Sequence, residues 1–376
     1  MVGLLVHEWI EKHGGSENVF QAMADIFSDT DIQCLWADAP ERFPHRQVRE
    51  SWLARTALRK SKAAALPFMP MTWARMNLES YESVLVSSHL FAHHVGGPLP
   101  SGPTKYVYAR TPARYIWAPR LDLRGSGLIA RLASPPLRAL DAKRASQGSV
   151  FAANSEFVRE RIHHAWNQDA IVIHPPVDVA RLQSIDDWCE ELSPEEHYLL
   201  SELPSDFLLG DSRFVPYKRL DLVIKAGEGA RLPVVVAGSG PQRSELAAAA
   251  IAATVPVHIV DRPSDELLYA LYQRAIAFVF PPVEGFGIIP VEAMALGTPA
   301  IVGNVGGSLE SVNILHGGIV VESFSTDELR CAVDKAATMD MSRAKDLVYD
   351  RFSMQTFARR VISWVTPSRD RGGVDA

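Results

Sequence analysis

The chain has 376 residues, of which 47% are hydrophobic and 22% charged, with a formal net charge of −6. This length is too great for one ordinary hydrophobic core and suits two medium-sized domains. The sequence has no run of about 18 apolar residues and no signal-peptide pattern, which argues against a transmembrane helix or a secreted protein. The 3 cysteines are too widely spaced for a disulfide framework or a zinc site, so we expect a cytoplasmic protein.

In the first half of the chain, short apolar runs are separated by helical patterns. The runs are mostly continuous, which is typical of parallel strands covered by helices on both faces. The predicted strands are Val2–Val6, Asp31–Trp36, Ser83–Ser87, Lys105–Tyr108, Ser149–Ala153 and Ala170–Ile173. The predicted helices are Glu17–Phe27 and Ser155–Trp166.

The second half repeats this pattern. Its predicted strands are Phe207–Gly210, Pro233–Ala237, Val257–Val260, Ile276–Phe280, Ala300–Val302 and Gly318–Val321. Its predicted helices are Arg219–Ala230, Gln242–Ala252, Ser264–Arg274, Pro290–Leu296, Thr326–Thr338 and, at the end of the chain, Met354–Val365.

A βα repeat used twice predicts an α/β protein of two doubly wound, Rossmann-like domains facing each other across a cleft. We expect a first domain over 1–185, a linker over 186–205 and a second domain over 206–352. Residues 353–376 would form a helix that packs back on the first domain, followed by a disordered tail at Ser368–Ala376. The break is placed within Val177–Ser205 because that stretch is acidic and interrupted by prolines. Ligands of such sheets bind at the carboxyl ends of the strands.

The segment from Glu284 to Glu292 carries the clearest chemical signal. A strand ends at two prolines, a Gly-Phe-Gly turn follows, and Pro290 suits the first residue of a helix. The glycines allow close approach of a ligand to the backbone, and the N–H groups at the helix start favour a phosphate. Because a carboxylate is a good bidentate acceptor for a ribose diol, Glu284 and Glu292 indicate a nucleotide site. Two surface acids beside a tight turn are the alternative interpretation.

A second segment follows the first strand of the second half. Arg213 and Lys218 flank a proline-containing turn just before a helix. Two cations at such a position can neutralise a diphosphate without a metal. A solvated loop remains the alternative, since charge alone does not exclude it.

Glycines and basic clusters mark the first half. Gly14 and Gly15 precede Ser16, which can cap the first helix, and their amides can hold an anion. Basic residues are concentrated in two clusters, which suit phosphates or an anionic membrane surface but equally a solvated helix face. The first cluster is Arg49, Arg55, Arg59, Lys60 and Lys62, beside Trp52, and the second is Arg110, Arg114, Arg120, Arg124, Arg131, Arg138, Lys143 and Arg144.

Together these segments resemble the retaining glycosyltransferases of family 4, which have the GT-B fold, and most closely the bacterial GDP-mannose-dependent mannosyltransferases. The resemblance covers most of the chain. Its specific parts are the R-x4-K pair Arg213 and Lys218 and the E-x7-E pair Glu284 and Glu292, in that order and each after a strand. Weaker parts are Ser87–His89, Tyr106–Trp117, Ala153–Val158, Ile173–Asp178 and Gly306–Glu310.

The resemblance implies a role for each matching residue. Arg213 and Lys218 would hold the donor diphosphate, Glu292 the ribose and Glu284 the donor sugar. The loop Gly285, Phe286, Gly287 and Ile288 would contact the donor, and Gly14 and Gly15 would close over the phosphates. Glu284, Arg110 and Lys218 are thus the catalytic candidates, and Ser16, His89 and Arg114 the acceptor candidates.

One departure from the family concerns Arg110. The family usually has a histidine at this position, which contacts the donor sugar. Arg110 can still donate to hydroxyl or phosphate groups, but it raises the question of a different donor or weaker catalysis. We predict no metal site and no cofactor besides the donor, because no DxD-type motif follows a strand. The adjacent histidines His93 and His94 cannot easily face one metal ion.

The sequence therefore predicts a retaining hexosyltransferase (EC 2.4 class), with GDP-mannose favoured, acting on a saccharide or lipid-linked acceptor in polysaccharide or glycolipid biosynthesis. It would be cytoplasmic or peripheral on the inner face of a membrane, and it would not bind nucleic acid. Another GT-B enzyme, such as a sugar-nucleotide epimerase or a phosphorylase, is one alternative. A non-catalytic subunit that binds a nucleotide sugar is the other.

Overall fold

The computed structural model describes residues 2–97, 102–118 and 128–366, and within 128–133 it describes the backbone alone. The predicted tail at Ser368–Ala376, the basic residues Arg120 and Arg124 and the side chain of Arg131 lie outside this description. The chain divides into two compact units. One unit is Met1–Pro176 with Gln355–Ala376, and the other is Val177–Met354.

The first unit contains a parallel sheet of 7 strands in the order β3-β2-β1-β4-β5-β6-β7. The order reverses beside β1, so the switch point lies between β1 and β4, where Leu5 pairs with Leu85. The strands are β1 (Leu4–His7), β2 (Asp31–Cys34), β3 (Val48–Glu50), β4 (Ser83–Ser88), β5 (Thr104–Ala109), β6 (Ser149–Ala153) and β7 (Ala170–Val172). The edge strand β3 was not predicted, because its 3 residues are largely exposed and polar.

Helices and short 3-10 turns connect these strands. The α-helices are α1 (Gly15–Ile26), α2 (Lys62–Ala65), α3 (Met69–Ala74), α4 (Arg114–Trp117), α5 (Leu128–Ala145) and α6 (Glu156–Trp166). The 3-10 helices are Pro40–Arg42, Trp52–Arg55, Ala57–Lys60, Leu66–Phe68 and Ala92–His94. Helix α5 was not predicted because it contains Pro135 and Pro136, which ordinarily interrupt a helix.

The second unit contains a parallel sheet of 6 strands in the order β10-β9-β8-β11-β12-β13, with its switch point between β8 and β11. The strands are β8 (Leu208–Asp211), β9 (Val234–Gly238), β10 (Val257–Asp261), β11 (Ala277–Phe280), β12 (Ala300–Gly303) and β13 (Gly318–Val321). The α-helices are α7 (Val179–Leu182), α8 (Pro194–Ser201), α9 (Asp221–Ala230), α10 (Arg243–Ala252), α11 (Asp265–Arg274), α12 (Ile288–Ala295), α13 (Gly307–Leu315), α14 (Thr326–Ala336) and α15 (Ser342–Phe352).

The stretch 186–205, predicted as a linker, is instead part of the second unit. It forms a 3-10 helix, Trp188–Glu191, and helix α8, which begins with a capping box between Ser193 and Glu196. Trp188 and Leu200 are buried in the core of the unit. The acidic residues that indicated a linker lie mainly on the exposed side of these helices.

Helix α16 (Met354–Val365) lies almost wholly in the range assigned to the first unit. Its buried residues Phe357, Val361 and Val365 recur every four residues and form one apolar stripe. The Phe357 ring contacts Tyr108 of β5 edge-on at a centroid distance of 5.9 Å. The helix therefore completes the core over β5.

None of the helices in the described ranges combines the length and the apolar character needed to cross a lipid bilayer.

Candidate functional site

In the second unit, the residues predicted to bind the donor meet at the carboxyl ends of β8 and β11. Lys218 follows β8 in a 3-10 turn, and Glu284 lies in the loop after β11. The Lys218 ammonium group donates to Glu284 Oε1 at 2.5 Å, and both side chains are largely buried. The Lys218 Nζ also lies 5.5 Å from the centroid of the Phe280 ring. The structure thus joins two predicted residues in one ion pair.

Glu292 projects from α12 and is partly exposed. Burial raises the pKa of its carboxyl group to about 8, and the charges of Asp211 and Asp265 add to this effect. Burial also raises the pKa of Asp211 to about 6, against the lowering effect of the hydrogen bond it accepts from the Tyr272 hydroxyl at 3.1 Å. Asp211 was not predicted as a site residue, although its position at the end of β8 was a usable signal.

The starts of α12 and α13 meet beside the Glu284 loop. Helix α12 begins at Ile288, two residues before the predicted start at Pro290, because Gly287 turns the chain with φ of 81°. The Gly307 amide at the start of α13 donates to the Glu284 carbonyl at 2.9 Å. Next to it, the buried Ser308 hydroxyl has no hydrogen-bond partner among the described residues. Two helix N-termini beside an unsatisfied hydroxyl form a site suited to phosphate groups.

Arg213 lies on the exposed side of this region. Its guanidinium donates to the Tyr217 hydroxyl at 2.9 Å. Among the described ion pairs it has no acidic partner, whereas Lys218 is paired with Glu284. Of the two predicted diphosphate ligands, Arg213 is thus the one whose charge is not matched by a carboxylate.

In the first unit, the start of α1 differs from the expected capping arrangement. The residue at the N-cap is Gly14, and Ser16 does not cap the helix because it already lies within the first turn. The Ser16 hydroxyl instead donates to Glu17 Oε2 at 2.6 Å. A Cβ atom added at Gly14 would lie only 2.1 Å from that carboxylate oxygen. The predicted anion-binding loop of Gly14 and Gly15 therefore contains a carboxylate of the chain itself.

Arg110, the residue that departs from the family pattern, follows β5 and reaches this same turn. Its guanidinium donates to the carbonyl oxygens of Gly15 at 3.3 Å and Ser16 at 2.8 Å. Its Nε atom is buried and has no hydrogen-bond partner in the described part of the chain. Arg110 thus ties the end of β5 to the start of α1.

The two other predicted acceptor residues lie at the same edge of the sheet. His89 directly follows β4, and its ring contacts Trp9 edge-on at a centroid distance of 4.9 Å. Burial, with the charges of Arg110, Lys62 and Arg114, lowers the pKa of His89 to about 3, so its imidazole is neutral. Arg114 is the first residue of α4.

The sequence predicts that the adjacent residues His93 and His94 cannot easily face one metal ion, yet in the structure their rings converge on one carboxylate. Their Nε2 atoms lie 3.1 and 2.9 Å from the same oxygen of Asp141. The other oxygen of Asp141 accepts from the indole N–H groups of Trp117 at 2.6 Å and Trp166 at 2.7 Å. A 3-10 turn after β4 makes this convergence possible, and Asp141 links that turn to α4 and α6.

Ion pairs occupy most of the first basic cluster. Arg49 pairs with Asp31, Arg59 with Asp38 and Lys62 with Glu11. Arg55 and Lys60 are exposed and have no ion pair in the described ranges. The cluster is therefore less basic than its sequence indicates.

Comparison with known proteins matches the second unit to one family. Residues 203–350 match the family described as Glycosyl transferases group 1. The chain is 36% identical over 145 residues to a D-rhamnosyltransferase, WbpZ, of Pseudomonas aeruginosa, covering 37% of this chain and 35% of that protein. It is 31% identical over 195 residues to a GDP-mannose-dependent alpha-(1-6)-phosphatidylinositol monomannoside mannosyltransferase of Mycolicibacterium smegmatis, covering 48% and 50%. The chain spans about half or less of the length of these curated relatives.

Solved structures extend the likeness to the whole fold. HepE of Anabaena in complex with UDP-glucose superposes with a TM-score of 0.70 at 18% identity, covering 96% of this chain and 99% of that one. WaaG, a glycosyltransferase involved in lipopolysaccharide biosynthesis, superposes with a TM-score of 0.62 at 15% identity, covering 97% and 100%. The chain therefore has the GT-B fold that the sequence predicts.

Proposed function

We propose that the protein is a glycosyltransferase that moves a hexose from a nucleotide sugar to a saccharide or lipid-linked acceptor. The observation that carries this proposal is the arrangement around Glu284. The Lys218–Glu284 pair lies beside two helix N-termini, and the partly exposed Glu292 carboxyl group has no described hydrogen-bond partner. The Lys218–Glu284 pair suits a sugar, the two helix N-termini suit a diphosphate, and the Glu292 carboxyl group suits a ribose.

The chemistry that these residues support needs no metal ion. Arg213 and the helix N-termini would stabilise the negative charge that develops on the departing diphosphate. The leaving diphosphate would then help to deprotonate the incoming hydroxyl group, and transfer would retain the anomeric configuration. We favour GDP-mannose as the donor because a GDP-mannose-dependent enzyme is among the relatives. The anomeric configuration of the product, measured by NMR, tests retention.

A thermal-shift screen of UDP-, GDP-, ADP- and TDP-sugars identifies the donor. A ligand at a hundred times its Kd adds roughly 2.7 kcal/mol to the free energy of unfolding, which such a screen detects. Product analysis then separates the alternatives. An epimerase would need no acceptor and would yield the epimeric nucleotide sugar, or free sugar and nucleotide if water also cleaves the sugar–phosphate bond, and a phosphorylase would require phosphate.

Calorimetric titration of the Glu292→Ala and Arg213→Ala variants with the donor tests the site. We expect each to weaken binding by roughly tenfold to a hundredfold, because a charged hydrogen bond contributes about 1.5–3 kcal/mol. Arg219→Ala is the matched control, since the Arg219 guanidinium bonds to Asp221 on the exposed surface. Unchanged affinity in both site variants would exclude this site.

The contacts of Arg110 favour one second candidate function, a non-catalytic subunit that binds a nucleotide sugar. Its guanidinium is engaged by the Gly15 and Ser16 carbonyls. If the native chain showed no turnover and Arg110→His restored it, the non-catalytic function would be correct.

We further propose that the enzyme works at an anionic membrane surface in the cytoplasm. Trp52, Phe68 and Met71 are 49%, 39% and 46% exposed, and the Trp52 and Phe68 rings are in edge-on contact at a centroid distance of 6.3 Å. Because residues three apart eclipse in a 3-10 helix, Arg55 shares the face of Trp52. Exposed aromatic groups beside unpaired cations suit the interface of an anionic bilayer.

Flotation with phosphatidylglycerol vesicles tests this surface. We expect Trp52→Ser with Met71→Ser to reduce recovery at least twofold. The control is Ile251→Ser, which removes an 88% exposed residue from the second unit. Equal recovery of the wild-type protein with phosphatidylcholine vesicles would contradict an electrostatic contribution to binding. Equal recovery of the double variant and the Ile251→Ser control would show that Trp52 and Met71 do not contact the membrane.

A further inference from the structure

One buried polar cluster of the first unit takes no part in the proposed transfer reaction. Its members are His93, His94 and Asp141, whose side chains are completely buried. One nitrogen of each ring and one carboxylate oxygen all lie within 4.8 Å of one another. Because buried polar groups in native proteins are nearly always hydrogen-bonded, each exception in such a cluster needs an explanation.

The Asp141 carboxylate has a fixed orientation. Its Oδ2 atom accepts from the indole N–H groups of Trp117 and Trp166 at 2.6 and 2.7 Å. Its Oδ1 atom therefore faces the two histidine rings, at 2.9 Å from His94 Nε2 and 3.1 Å from His93 Nε2. The His94 contact is a hydrogen bond, whereas His93 Nε2 has no hydrogen-bond partner in the part of the chain that the structure describes.

The other side of the His93 ring determines which of its nitrogens carries a hydrogen. The Ser88 hydroxyl donates its single hydrogen to Glu8 Oε1 at 3.4 Å. The same hydroxyl lies 3.3 Å from His93 Nδ1, so it accepts there and Nδ1 carries the hydrogen. Nε2 of the neutral ring then has a lone pair that faces the Asp141 carboxylate. Two such electron-rich atoms repel each other, and a cation between them removes this repulsion.

The spacing of the three ligand atoms suits a metal ion. Zn²⁺ bonds to imidazole nitrogen and carboxylate oxygen at about 2.0–2.2 Å, so two ligands of a tetrahedral site lie about 3.3 Å apart. The distances of 3.1 and 2.9 Å from Asp141 Oδ1 are close to this value, so an ion fits between the atoms without a further cavity. Burial, followed by the charge of His93, lowers the pKa of His94 to about 4, so its neutral ring can offer a lone pair to a metal.

We propose that His93 Nε2, His94 Nε2 and Asp141 Oδ1 bind one Zn²⁺ ion, which holds the turn Ala92–His94 against α5. The groups behind these ligands support it, because metal-binding histidines and carboxylates are themselves usually hydrogen-bonded. Here Ser88 holds one ring and the two indoles hold the carboxylate. A water molecule is the usual fourth ligand of such a set. The ion is structural, so it departs from the sequence-based prediction of no metal site but leaves the transfer chemistry metal-free.

Metal analysis of the full chain tests the proposal. The wild-type protein is stripped with a chelator during partial unfolding, refolded and titrated with Zn²⁺ in a calorimeter, and the bound metal is counted by mass spectrometry. We expect one Zn²⁺ per chain with a Kd below about 1 μM. Restoring the metal should raise the melting temperature by at least about 3 °C, because the ion binds the folded state.

Variants assign the metal to these ligands. Asp141→Asn removes the charge but keeps an oxygen that can accept from the indoles, and we expect it to weaken Zn²⁺ binding at least a hundredfold. The matched control replaces another adjacent pair, the exposed His163 and His164 of α6, with alanine and should bind Zn²⁺ as the wild type does.

Nitrogen-15 NMR of the histidine rings keeps the test decisive if Asp141→Asn does not fold. Zn²⁺ should shift the Nε2 signals of His93 and His94 to the range of metal-bound imidazole. Binding of less than half an equivalent by the wild type, loss of the metal in the control, or unchanged affinity in a folded Asp141→Asn would each overturn the proposal. A His93 ring with a proton on both nitrogens at saturating Zn²⁺ would also overturn it, because a proton would then occupy the place of the metal.

Discussion

Glu292 is mostly protonated at neutral pH in the unliganded protein, because burial first and the charges of Asp211 and Asp265 next raise the pKa of its carboxyl group to about 8. Ribose hydroxyls that donate to this group would stabilise its ionised form, so binding should release a proton. We expect the Kd of GDP to fall by up to about tenfold per pH unit from about pH 6 to about pH 8 and then to level off. Calorimetry in buffers of different ionisation enthalpy measures both the Kd and the proton release.

The variant Glu292→Gln serves as the control for this titration. Its amide does not ionise, so its Kd should vary little over the same range. If the pH dependence persisted in Glu292→Gln, another group would be responsible, and Asp211 is the nearest candidate because burial raises its pKa to about 6.

Residue identity and strand order predict part of the site but not its contacts. Lys218 and Glu284 follow neighbouring parallel strands of the second sheet. Because the carboxyl ends of parallel strands lie at the same edge of a sheet, the sequence predicts that these two residues are close together. The position of the Glu17 carboxylate over Gly14 and the contacts of Arg110 with the start of α1 are tertiary arrangements, which no local pattern specifies. Ser308 was also missed as a site residue, although it follows the glycine pair Gly306–Gly307.

At the scale of the element, the position of α13 depends on Gly307. A Cβ at this residue would lie 2.2 Å from the Gly285 carbonyl oxygen and 2.4 Å from the Phe286 Cα. Both are backbone atoms, so Gly307→Ala must move α13 or the Glu284 loop. We expect a loss of about 1–3 kcal/mol in the free energy of unfolding and at least tenfold weaker nucleotide binding, measured by denaturant titration and calorimetry.

Gly303→Ala is the matched control for that change. Its Cβ would meet only the ring of Phe324, at 3.2 Å, and that ring is partly exposed. A Gly307→Ala variant that bound nucleotide as tightly as Gly303→Ala would show that the approach of α13 to the loop is unimportant for the donor.

At the scale of the element, the apolar pattern of the sequence predicts some strands and helices and misses others. Apolar continuity identified every strand of the two sheets except the exposed edge strand β3. Helix α5 was missed because of Pro135 and Pro136, and α13 because it starts with glycine and has only a weak apolar stripe. The stretch 186–205 was misassigned because its charges are visible in the sequence, whereas the burial of Trp188 against Tyr269 is not.

At the scale of the whole molecule, the unit Val177–Met354 has the structural features of an independent domain. It contains a complete sheet with helices and a continuous buried core. We expect residues 177–354, expressed alone, to unfold cooperatively and to bind GDP within about threefold of the full chain's affinity, an energetic difference of about 0.7 kcal/mol. Calorimetry and thermal unfolding measure both properties.

The fragment 206–352, bounded as the sequence alone predicts, is the control. It lacks Trp188, Leu192 and Leu200, which are buried in the core of the unit. We expect it to be less stable by several kcal/mol or to aggregate, since it exposes the surface that these side chains cover. Equal stability of the two fragments would show that 177–205 contributes nothing to the domain.

The two crossings of the chain into and out of the second unit lie side by side. The Val177 amide donates to the Phe352 carbonyl at 2.8 Å, and Val177 and Ser353 form an isolated bridge. In chain order, residues 177–354 interrupt the other unit, and the two ends of this segment meet in space. In genetic terms, two crossovers, one at each junction, would exchange this segment for a related one, replacing the proposed donor site as a whole and leaving every strand of the first sheet uncut.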